Sequence, residues 1–236
     1  RTKPQLKDAD ELTTPWIITP QPAVFLTMIS YSVRVAPISE RESGSRWVSS
    51  IRDQFSKRLN QPSERTIEFS AVLGASLPYL YYLDNGWVRG NLDEIFPLDN
   101  EDHWRSAFKG YIWYTRGDRM CYRFLRDHGD YSKAIKAFDD DSEIQKSLIE
   151  DICRGYLNGE EEIHDSRSLI SEVIEYNNPE QISWIIERIW RFNKERSLSE
   201  ERKERVKALW RNLINHYAAG EIDPDKQKIL AGLFDW

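Results

Sequence analysis

The stretch Trp47-Val48-Ser49-Ser50-Ile51-Arg52-Asp53-Gln54-Phe55-Ser56-Lys57-Arg58-Leu59 decides the fold class. Its large apolar residues, Trp47, Val48, Ile51, Phe55 and Leu59, recur at spacings of three and four, which puts them on one face of an amphipathic helix. The same rhythm returns on both sides. Upstream, Phe25, Met28, Ile29 and Ser32 share a face after Pro22, a residue suited to a first helical turn. Downstream, Gln61-Pro62-Ser63-Glu64 opens a helix through Ile67, Phe69, Val72, Leu73, Leu77 and Leu80. Pro78 removes a backbone donor there and predicts a kink or an end near Leu77. Asp84-Asn85-Gly86 is a turn ahead of Trp87 to Phe96, and Asp99-Asn100-Glu101-Asp102 caps a helix bearing Trp104, Phe108, Tyr111 and Ile112.

Further helices are predicted over 118–127, 131–138, 142–157, 166–176, 179–193, 199–219 and 223–234. Asp141-Ser142 and Asn178-Pro179 supply N-terminal caps, and Glu200 and Glu201 complement a helix dipole. No segment sustains the alternation of a half-buried strand. The reading is therefore all-α: an irregular, solenoid-like stack of about ten helices in pairs, without a fixed repeat period. Residues 1–21 are polar and broken by Pro4, Pro15 and Pro20, and read as an extended lead-in in which Trp16-Ile17-Ile18 is the one docking patch. Residues 22–236 read as a single helical-repeat-like domain.

Composition narrows the class of protein. The chain has 236 residues, 40% of them hydrophobic and 31% charged, with 11 Gly and 10 Pro, which excludes disordered and fibrous chains. Two cysteines, Cys121 and Cys153, cannot staple a secreted scaffold, so a reducing, cytoplasmic setting is expected. No apolar run approaches the roughly 20 residues of a membrane span, and the longest, 71–83, is interrupted by Ser76 and Pro78. No signal peptide is read. A start at Arg1 in a charged stretch and an apolar finish, Ile229 to Phe234 and then Trp236, suggest a piece of a longer polypeptide.

The sequence offers little chemistry. It lacks the Gly-x-x-x-x-Gly-Lys-Ser/Thr and Gly-x-Gly-x-x-Gly phosphate cradles, and the Gly86 and Gly90 pair is explained by a turn and a helix interruption. There is no Gly-x-Ser-x-Gly elbow. Cys121 and His128 lie two turns apart, about 10 Å, too far for a proton transfer. Both cysteines read as small buried residues. The acidic run Asp139, Asp140, Asp141 and Glu143 reads as helix capping. Glu161-Glu162-Ile163-His164 holds a single Glu-x-x-His, whereas a carboxylate-bridged metal pair needs two and further acids. It reads as a solvated acidic loop, with Glu161, His164 and Asp165 as the only metal set worth testing. No catalytic residue, metal or cofactor is expected.

Charge is segregated. Residues 101–138 carry eight basic and five acidic side chains, residues 185–211 nine and five, and residues 139–165 are strongly acidic, within a net charge of −6. Arg119, Arg123 and Arg126 form one helical stripe near Tyr111, Trp113, Tyr114 and Tyr122, the composition of a surface that binds protein or single-stranded nucleic acid. Nine Trp, eleven Tyr and nine Phe are chiefly core: Trp104, Phe108 and Tyr111 in one stripe, Trp210, Ile214 and Tyr217 in another. Trp113-Tyr114, Tyr81-Tyr82 and Trp16 are expected to face outward. The partner-binding surface chosen on this basis is Trp87, Arg89, Trp113, Arg116, Arg119 and Arg123.

Two stretches carry a resemblance. Pro78 through Trp87, with Asn91-Leu92 to Phe96 and Trp104 to Trp113, is one; Leu209-Trp210-Arg211-Asn212-Leu213-Ile214-Asn215-His216-Tyr217, through Asp235-Trp236, is the other. They resemble the C-terminal helical regions of large bacterial anti-phage defence proteins that carry sirtuin-like or nucleotide-binding oligomerisation effectors. The resemblance implies a non-catalytic sensor or regulatory module. Its expected partner is a protein, either a phage protein or another domain of the same polypeptide, and homo-oligomers are compatible with it. Membrane is not expected, and nucleic acid stands only as the alternative.

Overall fold

A computed structural model of the chain describes residues 20–43, 45–61, 65–115, 117–165, 167–195 and 199–218. The expected lead-in lies outside them up to residue 19, with its Trp16 patch, as does the helix predicted over 223–234. The described residues form thirteen helices and no strand, so the all-α expectation holds, with three more helices than the ten counted from sequence. They divide between two compact units, Arg1–Cys121 and Tyr122–Trp236, where sequence reading treats 22–236 as one domain.

The first unit contains α1 (Pro20–Ser43), α2 (Ser49–Leu59), α3 (Ile67–Ala75), α4 (Leu77–Leu83), α5 (Asn85–Gly90), α6 (Leu92–Ile95) and α7 (Glu101–Tyr114). Pro78 acts as expected. α3 stops at Ala75, Ser76 donates its N–H to the Val72 carbonyl, and Pro78 takes its place in the first turn of α4, where a missing donor is harmless. α3 and α7 pack along each other, and α1 lies on α3 and α4. Phe25, Phe55 and Phe69 meet with ring centroids 4.8 to 5.6 Å apart, and Trp47 joins Phe55 at 5.6 Å. These rings and Trp104, Phe108 and Tyr111 of α7 make the core, as their spacing predicts.

The second unit is organised around α10 (Ser142–Leu157), which touches α9 (Asp130–Ala137), α11 (Leu169–Tyr176), α12 (Pro179–Glu195) and α13 (Glu200–Ala218). The boundary between the units falls within α8 (Arg119–His128). Ile144, Leu148, Ile149, Ile152, Cys153 and Tyr156 bury most of α10. The helix begins where sequence places it because the Asp141 carboxylate accepts the Ile144 N–H at 3.2 Å. Asp141→Ala is therefore expected to cost this unit about 1 kcal/mol, read by urea denaturation, with no change of fold.

One expectation fails here. On α13 the buried stripe is Val206, Leu209, Leu213 and Tyr217, whereas Ile214 is 42% exposed and Trp210 half-buried. Tyr217 is common to both stripes, its hydroxyl reaching the Asn177 side chain at 3.0 Å, and the helix buries Leu213 and Leu209 ahead of it in place of Ile214 and Trp210. The count of apolar runs also passes over α1. Its window Pro20–Glu40 has a mean hydropathy of 1.2 and the length of a membrane-crossing helix, with a third of it buried. Interspersed Gln, Pro, Thr, Ser and Arg34 hide this from a search for unbroken apolar runs.

Candidate functional site

The six residues chosen from sequence are not all at the surface: among the described residues Arg89, Arg119 and Arg123 are exposed, Trp113 is half-buried and Trp87 is buried. Trp87 is a core residue, 5% exposed. Asp84 caps α5 by accepting the Trp87 N–H at 2.9 Å, and this start turns the indole inward, where its N–H donates to Ser56 Oγ at 2.8 Å and its ring meets Trp47 at 5.0 Å. Arg89 is exposed, and Trp113 is half-buried like Tyr114, Tyr81 and Tyr82. Arg116 lies outside the described residues. Arg119 is exposed and starts α8. Arg123, one turn further on, belongs to the second unit and is engaged there.

Its partner is Glu160, in the acidic loop that sequence reads as solvated. The Glu160 carboxylate is buried and takes a charge-assisted hydrogen bond from Arg123 Nε, while Arg126 donates to the Glu160 carbonyl. From the other side, Arg202 donates to Asn158 Oδ1 at 2.7 Å, and Arg205 donates to the Glu161 carbonyl at 3.0 Å and to the Glu162 carboxylate at 2.5 Å. Four arginines of α8 and α13 thus staple residues 158–162. Arg119, Arg123 and Arg126 fall on one helix as predicted, but Arg126 and the still exposed Arg123 are engaged by this loop.

Glu161 is 4% exposed. Its carboxylate accepts the backbone N–H groups of Leu169 at 2.8 Å and Ile170 at 3.3 Å, and so caps α11 from outside the helix. Burial pushes its pKa up to about 7; the two N–H bonds and Arg126 oppose the rise, and Asp165 adds to it. Next to it the Tyr122 hydroxyl finds no hydrogen-bond partner among the described residues, and burial raises its pKa well above the ordinary value. His164 and Asp165 are exposed, so the Glu-x-x-His set does not converge. Among the described residues no group of three or more His, Cys, Asp or Glu is placed to hold a metal.

Sequence reasoning missed a Ser–His pair. Ser70 Oγ and His103 Nδ1 are 2.9 Å apart, and Arg65 Nε donates to Ser70 Oγ at 3.4 Å. Burial, then Arg65, lowers the His103 pKa and favours the neutral ring. This is the geometry of a nucleophile and its base, but Ser70 is completely buried between α3 and α7, so its oxygen meets no substrate. The pair joins the two helices. In the second unit, Lys146, Glu150, Trp184, Glu187, Arg188 and Arg191 line a shallow groove in which charges pair with one another, Arg188 with Glu150 at 2.6 Å and Lys146 with Glu187 at 3.8 Å.

Among the described residues, α1 carries three of the exposed large apolar side chains. Val24, Tyr31 and Ile38 are 51%, 54% and 58% exposed, seven residues apart, on the helix face opposite Phe25, Ile29 and Val33. Compared with family models, curated proteins and solved structures, the chain has no match.

Proposed function

We propose that this chain is a non-catalytic helical module that acts by binding protein, the sensor or regulatory part of a larger cytoplasmic bacterial defence protein. The observation that carries protein binding is the outer face of α1, where three large apolar side chains repeat on one line while the opposite face of the same helix is core. The resemblance of the aromatic helical stretches supplies the defence setting. In this reading the partner is another polypeptide, a phage protein or a domain of the same protein. It acts by binding one state of the effector more tightly than the other, since equal affinity shifts nothing.

The rival reading, nucleic acid on the α8 stripe, requires Arg123 and Arg126 to leave Glu160. That exchange exposes or strands a buried carboxylate, a cost that phosphate contacts must first offset.

The test is a photo-crosslinking amino acid at position 31 of the full-length protein, produced in its host, with the same group at exposed Asp53 of α2 as the control. A polypeptide adduct several-fold stronger at 31 than at 53 is expected. Equal background at both positions, or an adduct with nucleic acid, overturns the reading.

A further inference from the structure

We infer that the outer face of α1 is a self-association surface, on which a second copy of the chain lays its own α1 antiparallel. This deepens the protein-binding reading and rests on it.

The helix carries two apolar seams. Phe25, Ile29, Val33 and Ala36 are buried against the first unit. Val24, Met28, Tyr31, Val35 and Ile38 follow in steps of four, three, four and three, the average of 3.5 that brings two helices together knobs into holes. None of these five is buried. Scattered exposed apolar residues are ordinary, but five in register along about 21 Å of helix are not scattered.

Three observations choose the occupant. First, the steps from Val24 through Met28 and Tyr31 to Val35 run four, three, four, and read the same in either direction. An antiparallel copy therefore meets its own pattern: Val24 opposite Val35 of the second copy, Met28 opposite its Tyr31, and the same layers again by the two-fold axis, as an isologous interface requires. Second, the window Pro20–Glu40 holds two charges, Arg34 and Glu40, and Glu40 is held by Arg46 at 2.8 Å. A parallel pair sets the two Arg34 side chains at the same height. The antiparallel pair separates them by about nine residues, roughly 13 Å, beyond the screening length of about 8 Å. Third, a bilayer is a poor fit. Helices that lie on membranes carry several Lys or Arg on their polar face, whereas this window offers Arg34 alone, and its other face is already covered by α3 and α4.

The seam is short. Five side chains on one helix bury less than the roughly 800 Å² per partner of a stable dimer, so association is weak and depends on concentration. A weak dimer on the regulatory part of a longer protein responds to crowding of copies, as a partner with several binding sites would impose.

Sedimentation velocity of the 236-residue chain from low to high micromolar concentration is expected to show a rising dimer fraction. Tyr31→Arg is expected to return a monomer at every concentration with unchanged helical circular dichroism, because position 31 is solvent-facing. Orientation is read by disulfide trapping: Val24→Cys/Val35→Cys links 24 to 35 between copies under mild oxidation, while Val24→Cys alone does not link. Cys121 and Cys153 are buried and stay out of the reaction. A wild-type monomer throughout overturns the proposal. If the crosslinker at 31 then still captures another polypeptide, the protein-binding reading stands and only the second copy falls. Linking by Val24→Cys alone overturns the antiparallel register. Tyr31-dependent recruitment to phosphatidylserine vesicles by a monomeric chain overturns it in favour of a membrane.

Discussion

Gly110→Ala is expected to destabilise the first unit by at least about 3 kcal/mol, and Gly110→Val to leave it unfolded. The reason lies in how closely α3 and α7 approach. A β-carbon at Gly110 would stand 2.2 Å from the Ala71 carbonyl oxygen and 3.0 Å from its carbon; one at Gly74 would stand 1.8 Å from the Ala107 oxygen and 2.7 Å from its carbon. These neighbours are helix backbone, which cannot swing aside as a side chain can. The two helices must separate instead, and the contacts of Phe69, Val72, Trp104, Phe108 and Tyr111 loosen together.

Alanine also raises helix propensity, by about 1 kcal/mol over glycine, so two effects of opposite sign compete at position 110. The clash is the larger. Gly90 isolates the smaller one: nothing lies within 4 Å of a β-carbon there, so Gly90→Ala is expected to be neutral or to stabilise by up to about 1 kcal/mol. Urea denaturation followed by fluorescence of buried Trp47, Trp87 and Trp104 reads both variants. A Gly110→Ala protein as stable as the Gly90→Ala protein would show that the α3–α7 approach does not matter.

That approach marks a boundary of what sequence conveys. The helical rhythm of 47–59 and 104–111, the break before Pro78 and the limits of α10 are local: apolar spacing, a missing donor, an Asp141 cap and a turn at Asn158-Gly159 all sit within a few residues of the feature they determine. The site depends on distant neighbours. Arg123 meets Glu160 from 37 positions away, and Trp87 is turned inward toward Ser56, 31 positions back. The basic stripe and acidic loop were both visible in the sequence, but not that each answers the other. Glu161 looked solvated because its neighbours are acidic. It is buried because α11 begins above it and Arg205 of α13 grips its carbonyl. The outer seam of α1 is hidden for another reason: once Phe25, Met28 and Ile29 are assigned to a core face, Val24, Tyr31, Val35 and Ile38 on either side of them draw no attention, and Met28 itself sits on the outer face.

Glu161 carries the second large prediction. Its carboxyl has a pKa of about 7 in the folded chain, against an ordinary value of 4.5. A group whose pKa rises on folding contributes stability that is complete below the unfolded value and is lost as pH climbs through the folded one. The second unit is therefore expected to weaken between pH 5 and pH 8, by an amount on the order of 3 kcal/mol if Glu161 acts alone. The groups around it include Tyr122 and Arg126 of α8, Cys153 and Tyr156 of α10, Glu162 and Asp165 of the loop, and Arg205 of α13, so the useful quantity is a difference between variants. Glu161→Gln removes the ionisation and keeps an oxygen for the Leu169 N–H, but sets an amide NH2 against the Ile170 N–H, the longer of the two bonds. It is expected to start about 1 kcal/mol below the wild type near pH 5 and to gain on it increasingly toward pH 8. Glu161→Leu also removes the ionisation but leaves both N–H groups without an acceptor, at a cost of about 1 to 3 kcal/mol for each group at every pH. Hydrogen exchange of the amides at the start of α11, measured across this range, separates the two effects: faster exchange toward alkaline pH in the wild type beyond the intrinsic rate, a flat profile for the Gln variant, and uniformly fast exchange for the Leu variant. A constant wild-type-to-Gln ratio from pH 5 to pH 8 would mean that Glu161 does not titrate in this window and that its burial is offset by its N–H partners.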